Sequence, residues 1–428
     1  MYKKSKYNIF TEFEDDYLVT NTLNKTVVVL LKDEFNEYKK LPDNNILPTK
    51  FSTALFDCGL LVENNLDEVK ELILKHKEAK NNTDLLNVTI VPSFNCNFAC
   101  SYCYQQDMPK GILNKKDSDK IIRFIENKIT LTNPKKVHIA WYGGEPLLCI
   151  KNIEYINSTI IKKYSTNLEI TSSIATNLYL LDDKMLELLI KLHVNRIETT
   201  LTGTEEYHNK LRFLKNKKGT FDKVFNNIKK VSTFIPTIIN VNVSYDNLEN
   251  MDDLIDLVCQ ELKGKKIYLN FNKIGFYKQM KNDVHEIKDF SDIKIKLLNK
   301  CILKNINICD DTNFDKEYIF CPQQHINSFS IDFRGFVYKC AEYFEESDCI
   351  GQIDNDGNIC EIKTKESMPK KCLNCEILPY CNFGCTAKRN NNERCPEEKD
   401  KMGEYLKIFY LKQQLDNMKG GELNESNS

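Results

Sequence analysis

Ten of the seventeen cysteines in this 428-residue chain fall into two arrays, one of three and one of seven, and no other feature limits the fold as much. Clustered thiols are either cross-linked or bound to metal, and the redox compartment decides between the two. The N-terminal stretch MYKKSKYNIFTEFEDD lacks the apolar segment of a secretory signal, and no later run is long and apolar enough to span a bilayer. A cytoplasmic location is therefore expected, where metal or redox chemistry replaces structural disulfides. Zinc and iron–sulfur clusters both take Cys thiolates, so spacing and surroundings must choose. Lys plus Arg (60) balances Asp plus Glu (61), which leaves no net field for nucleic acid or an anionic membrane; neither is expected as a partner. With 41% hydrophobic residues, the length suits two or three domains with real cores.

Residues 1–85 read as a small α+β unit. YNIFTEF, YLVTNTL and TVVVLL carry strand patterns, and DEFNEYKKL and LDEVKELILKHKEAK carry helical ones. From residue 86 strands and helices alternate. NVTIVPSF, KKVHIAWY, LEITSSIAT, RIETTL, TIINVNVSY and KIYLNFNKI are the strands, and several are nearly continuously apolar. That pattern fits parallel strands covered on both faces. Six strand–helix units predict an α/β fold over 86–310, either a partial parallel barrel or an open doubly wound sheet. Residues 281–320 read as a charged, helical connector. Beyond Cys321 turn residues are frequent and helical periodicity is weak until GEYLKIFYLKQQL. A domain held together by metal is expected over 311–412, followed by a disordered tail over 413–428.

Cys96, Cys100 and Cys103 form C-x3-C-x2-C directly after the first of the six strands, in PSFNCNFACSYCYQQ. Three thiolates on one loop can hold three irons of a cubane and leave the fourth open, as catalysis requires. The alternative is a zinc site lacking its fourth ligand. Tyr102 before the third cysteine and the strand before the first favour the cluster. With them, the pattern closely resembles the radical S-adenosylmethionine (SAM) superfamily. The resemblance implies a [4Fe–4S] cluster whose open iron chelates SAM, and a 5′-deoxyadenosyl radical that takes a hydrogen atom from substrate. It also implies roles for other residues. Gly143, Gly144, Glu145 and Pro146 match the GGE motif that contacts the SAM amino group, the glycines permitting close backbone approach. Thr176 and Asn177 match a Thr-Asn-Gly motif in which Leu178 replaces the Gly. Thr200 matches the hydroxyl expected beside the SAM carboxylate. Gly203, His208 and Arg212 match a following motif whose acids are here Thr202 and Asn209. An exposed helix face is the bland reading of His208 and Arg212. Asn242 matches an Asn of the fifth strand.

Cys321 is followed by Gly335 and Cys340, then by Cys372, Cys375, Cys381 and Cys385 as C-x2-C-x5-C-x3-C, and by Cys395. This order resembles the SPASM domain of radical SAM enzymes. By that resemblance, Cys372, Cys375, Cys381 and Cys395 bind one auxiliary [4Fe–4S] cluster, and Cys321, Cys340 and Cys385 bind a second. The second lacks an obvious fourth ligand, because Asn327 stands where some relatives have Cys. Cys309, Cys349 or an open iron completes it. All seven remaining cysteines, Cys58, Cys149, Cys259, Cys301, Cys309, Cys349 and Cys360, otherwise read as buried small hydrophobes.

Two features point to a peptide substrate. The N-terminal unit resembles the small domains with which peptide maturases capture a leader, which strand addition to a sheet edge can do. Ala341 follows Cys340, where sulfatase maturases carry an Asp base, leaving Glu342 as the candidate base. The expected activity is thioether crosslinking of a Cys-containing precursor peptide, with flavodoxin or ferredoxin as reductant. Anaerobic oxidation of Cys or Ser to formylglycine is the second reading. An electron-transfer or binding protein without SAM chemistry is the third.

Overall fold

The computed structural model describes residues 1–274, 287, 289–309, 314, 318–319, 321–360, 369–385 and 395–425. They fall into two units, one of Met1–Asn81, Asp310–His325 and Glu366–Ser428, the other of Asn82–Cys309 and Ile326–Lys365.

The first unit begins with β1 (Tyr2–Lys4), β2 (Asn8–Phe13), β3 (Asp16–Asn21), β4 (Thr26–Leu30), α1 (Lys32–Lys40), α2 (Lys50–Asp57), β5 (Leu61–Glu63) and α3 (Glu68–Asn81). β2, β3 and β4 form an antiparallel meander, because tight turns at Glu14 (φ 55°) and Lys25 (φ 60°) return the chain on itself. Its apolar face closes on α1: Val19, Leu30, Phe35 and Tyr38 are buried together, and Tyr17 stacks on Phe35. Thr49 caps α2 by accepting from the Ser52 amide, a cap worth about 1 kcal/mol.

The second unit contains the six strand–helix units: β6 (Leu85–Val91), α4 (Lys115–Thr132), β7 (Lys136–Trp141), α5 (Ile150–Tyr164), β8 (Glu169–Ala175), α6 (Asp183–Lys191), β9 (Val194–Leu201), α7 (Glu205–Leu211), α8 (Phe221–Val231), β10 (Thr237–Val243), α9 (Met251–Glu261), β11 (Ile267–Lys273) and α10 (Ser291–Leu303). β6 to β11 are parallel and lie side by side in chain order, forming the partial barrel. Several of these strands read as nearly continuously apolar, but in the structure they alternate. Ile90, Ile139, Trp141, Ile174, Ile197, Val241 and Phe271 lie under the helices at 0–1% exposure. The inner face instead carries Asn87, Thr89, His138, Ser173, Thr200, Asn240 and Asn270.

The sheet does not stop at β6. β12 (Ser328–Asp332) pairs with β6 in parallel, and β13 (Phe336–Tyr338), β14 (Cys349–Ile353) and β15 (Ile359–Cys360) follow antiparallel, giving ten strands. Residues 326–365 thus join the barrel unit, while the other cysteines beyond residue 310 group with the N-terminal region. That differs from a linear division at residues 85 and 310. The physical reason is β6, whose free edge takes the backbone hydrogen bonds of β12. The first unit ends with α11 (Leu378–Cys381) and α12 (Met402–Glu425). α12 buries Met402, Tyr405, Leu406, Ile408 and Phe409, and Tyr410 meets Phe13 of β2 edge-on. It therefore runs as helix through most of the segment expected to be a disordered tail. Within the expected connector, α10 is helical and 281–286 lies outside the described residues. No helix among the described residues is long and apolar enough to cross a membrane.

Candidate functional site

The C-x3-C-x2-C loop leaves the C-terminal end of β6, where parallel barrels build their sites. Two neighbours hold it. On one side it pairs with the segment after α7: the Ala99 amide donates to the Phe213 carbonyl (2.8 Å) and the Ser101 amide to that of Leu211 (3.1 Å). On the other, the amides of Gly144 and Glu145 donate to the carbonyls of Ser93 and Asn95 (3.1 and 2.9 Å). Both glycines serve this second contact. Gly143 has φ +117°, and a Cβ there would stand 2.5 Å from the Ser93 carbonyl oxygen; one at Gly144 would overlap that of Asn95. The close approach is to the loop that carries the cysteines.

Glu145 is fully buried. Its carboxylate accepts from the Thr176 hydroxyl and Asn177 amide (both 2.7 Å) and the Leu147 amide (2.9 Å), beside the buried Pro146. Burial raises its pKa, and these three bonds oppose the rise. Asn177 donates to Oδ1 of Asn97 (2.8 Å) and approaches the Cys96 sulfur (3.8 Å). Leu178 stands where the resembled motif has Gly, yet keeps the left-handed conformation, φ +59°, while fully buried. Its side chain is retained at a backbone cost of about 1–2 kcal/mol.

Arg212 is buried beneath the cysteine loop, at the end of α7. It donates to the Tyr102 hydroxyl (2.9 Å), and Asn242 donates to the same oxygen (3.3 Å). Burial alone would lower the Arg212 pKa, but Tyr102 and the Cys100 thiol more than restore it, so the charge persists. His208 is also buried, bonded to Thr220 (3.2 Å) and held neutral by burial and by Arg212. Neither residue lies on an exposed helix face. Asn209 accepts from the amides of Thr220 and Phe221, an N-terminal role that a carboxylate would share.

Two residues unnoticed in the sequence meet at Glu342. Tyr104, next to Cys103, and Tyr142, next to Gly143, donate to the same carboxylate oxygen of Glu342 (2.8 and 3.0 Å), and Gln105 donates to Tyr104 (3.0 Å). Burial, then Glu342, pushes the Tyr142 pKa well up. The Glu342 amide donates to the Cys340 sulfur (3.4 Å). A phenol directly flanking each motif was the available signal. Cys349 donates to the Gly351 carbonyl (3.1 Å) and packs against the cluster of Val91, Phe94 and Tyr338. Asn327 ties the starts of β6 and β12 through the Thr83 and Leu85 carbonyls. Cys360 is exposed rather than buried, whereas Cys149 and Cys301 are buried.

In the first unit, the Cys381 thiol is pushed up to about 12, by burial first and then by Cys375, Cys372 and Cys395 around it. Cys321 and Cys385 belong to the same unit; the Cys321 amide donates to Gln324, whose side chain donates to the Gly384 carbonyl (3.3 Å). Cys340 belongs to the second unit.

The radical SAM superfamily model matches residues 90–258, the segment holding the cysteine loop, the glycine motif and Arg212. A GTP 3′,8-cyclase of Clostridium perfringens (strain SM101 / Type A) is 30% identical over 295 residues, 68% of this chain and 80% of that protein. The chain belongs to the radical SAM superfamily. A cysteine-type anaerobic sulfatase-maturating enzyme of Clostridium novyi (strain NT) is 27% identical over 354 residues, 72% of this chain and 89% of its own. The radical SAM cyclopropyl synthase TigE of Paramaledivibacter caminithermalis is 25% identical over 405 residues, 86% and 82%. Two solved structures share the fold. They are anSMEcpe with bound SAM and the Cp18Cys peptide (TM-score 0.58, 20% identity, 78% and 99% covered) and Streptococcus suis SuiB bound to its precursor peptide SuiA (TM-score 0.52, 16% identity, 93% and 99%).

The residues fit the cofactors of this radical SAM protein, a [4Fe–4S] cluster and SAM. Among the described residues no three His, Cys, Asp or Glu side chains crowd around a single ion; a cubane takes one thiolate per iron. Cys96, Cys100 and Cys103 share one loop, and their charges bear on one another and on Arg212. The Arg212 Nε and Asn97 Nδ2 donors are buried without partners among the described residues, as an acceptor-rich ligand of sulfides and a carboxylate would require. The further cysteines fit auxiliary clusters.

Proposed function

We propose that this radical SAM enzyme modifies a ribosomally made precursor peptide and closes a thioether at its Cys residues. The observation carrying this reading is the sheet β2–β3–β4, whose β4 has β3 as its only strand partner among the described residues. An extended leader would add to that edge through backbone hydrogen bonds, beside the exposed Val29 and Leu31. The solved structures of anSMEcpe with the Cp18Cys peptide and of SuiB with SuiA support a peptide partner. A low-potential flavodoxin or ferredoxin would supply electrons.

Cys96, Cys100 and Cys103 would hold the cluster, which with SAM supplies a 5′-deoxyadenosyl radical for hydrogen-atom abstraction. Arg212 and Thr200 would orient the SAM carboxylate, and the backbone of Gly143–Glu145 its amino group. Asn242 and Asn177 would fix the loop around them. Cys372, Cys375, Cys381 and Cys395 would hold one auxiliary cluster, and Cys321, Cys340 and Cys385 the other. Anaerobic co-expression with the short peptide encoded beside the gene, read by mass spectrometry, tests the reading. Loss of hydrogen pairs with matching loss of alkylatable thiols is expected.

A second reading, formylglycine formation, is favoured by the similarity to the C. novyi enzyme and by Glu342 beside Cys340, as candidate base. An unchanged precursor, with conversion of a sulfatase-derived Cys peptide, would establish it instead.

A further inference from the structure

β10 and β11 both carry asparagine at alternate positions: Asn240 and Asn242, Asn270 and Asn272. The register places Asn240 beside Asn270, Asn242 beside Asn272, and Thr200 of β9 on the other side of Asn240. Their chain neighbours Ile239, Val241, Leu269 and Phe271 are buried under helices, so the four carboxamides share the inner face, half-buried. They satisfy one another only in part. Asn270 and Asn272 both donate to Oδ1 of Asn240 (2.9 and 3.3 Å), and Asn242 donates to Tyr102 (3.3 Å). Nδ2 of Asn240 and Oδ1 of Asn270 and Asn272 have no hydrogen-bond partner among the described residues.

We propose that this patch is a subsite for the main chain of an extended peptide substrate. It deepens the peptide reading above and rests on it. A carboxamide presents one acceptor and one donor group, the same pair as a peptide bond. Alternate residues on one strand stand about 6.6 Å apart, which is also the two-residue repeat of an extended peptide. The patch is uncharged. Arg196 and Glu198, the charged residues of β9 nearest to it in register, pair with each other (3.3 Å). Such a surface selects neutral main-chain groups over phosphates or charged side chains, and so tolerates sequence variation in what it binds. It begins at Tyr102, inside the cysteine loop, so a bound strand leads toward the reacting centre.

The test uses reconstituted holoenzyme. A displayed library of Cys-containing peptides is panned anaerobically on it, and the enriched peptide becomes the labelled probe. N240A/N270A is expected to weaken probe binding about tenfold, with substrate-free SAM cleavage unchanged. On the wild-type protein, moving a single N-methyl group along the probe is expected to weaken binding at every second position. Equal binding of the probe to variant and wild type, or indifference to N-methylation, overturns the subsite while leaving the peptide reading intact. A library from which nothing is enriched overturns the peptide reading and the subsite with it.

Discussion

Two phenols converge on one oxygen of Glu342, and removing them one at a time measures what that convergence does. Tyr142→Phe deletes a hydrogen bond of 3.0 Å to a carboxylate. Bonds to charged groups contribute about 1.5–3 kcal/mol. The Tyr104 hydroxyl stays on the same oxygen at 2.8 Å, so the single variant belongs at the lower end, about 1.5 kcal/mol. Tyr104→Phe has a comparable cost for the same reason. The double variant strips both phenol hydroxyls from a half-buried carboxylate, and because the two bonds share one oxygen its cost should differ from the sum of the singles by on the order of 1 kcal/mol, in the direction of a larger loss. Hydrogen–deuterium exchange of a fragment spanning residues 339–345 reads this locally. It avoids treating a two-unit protein as two-state. Each single variant should speed exchange about tenfold, since 1.4 kcal/mol is one decade, and the double variant more than a hundredfold. Exchange within about twofold of wild type for Tyr142→Phe, or strict additivity in the double variant, would refute the reasoning.

His138, bridging Thr171 and Ser173 (both 2.9 Å), has its pKa lowered to about 4 by burial and then by Arg196 and Lys136. The unfolded chain takes up that proton near pH 6.5 and the folded chain does not. Its contribution is therefore full above pH 6.5 and is lost as pH falls toward 4, by on the order of 3 kcal/mol. The difference in apoprotein stability between wild type and His138→Asn, followed over that window, checks it. Gly144→Ala should displace Asn95 and the loop behind it, and iron analysis after reconstitution should show about four irons fewer per chain. Glu145→Gln keeps the shape but sets an NH2 against one of three donors, and should cost the apoprotein about 2–4 kcal/mol in denaturant titration.

The six barrel strands were legible because their alternation with helices spans nearly two hundred residues. The inner-face polarity carried by Asn240, Asn242, Asn270 and Asn272 was not read, because β-branched neighbours masked the period. β1 and β5, three residues each, were not, because their pairing is set by Tyr2 meeting Glu63 far along the chain. Leu178 looked like a departure from a motif, yet its backbone holds the conformation that glycine would adopt. The SPASM resemblance, not spacing alone, grouped Cys372, Cys375, Cys381 and Cys395, and in the structure Cys375, Cys372 and Cys395 each bear on the Cys381 thiol. His208 could not be placed in advance, since its partner Thr220 stands at the start of the next helix, α8. Tyr104 and Tyr142 went unnoticed because their common partner lies about two hundred residues later.

β12 continues the parallel sheet beyond β6. A fragment cut after residue 310 would keep the cysteine loop and all six strand–helix units, yet leave five registered residues of β6, Asn87 to Val91, with bare amides and carbonyls. Such a fragment should stick to its own kind through that open ribbon. The shortest soluble version of the catalytic half is therefore expected to be a discontinuous one, with residues 326–360 carried along as the piece that finishes the sheet.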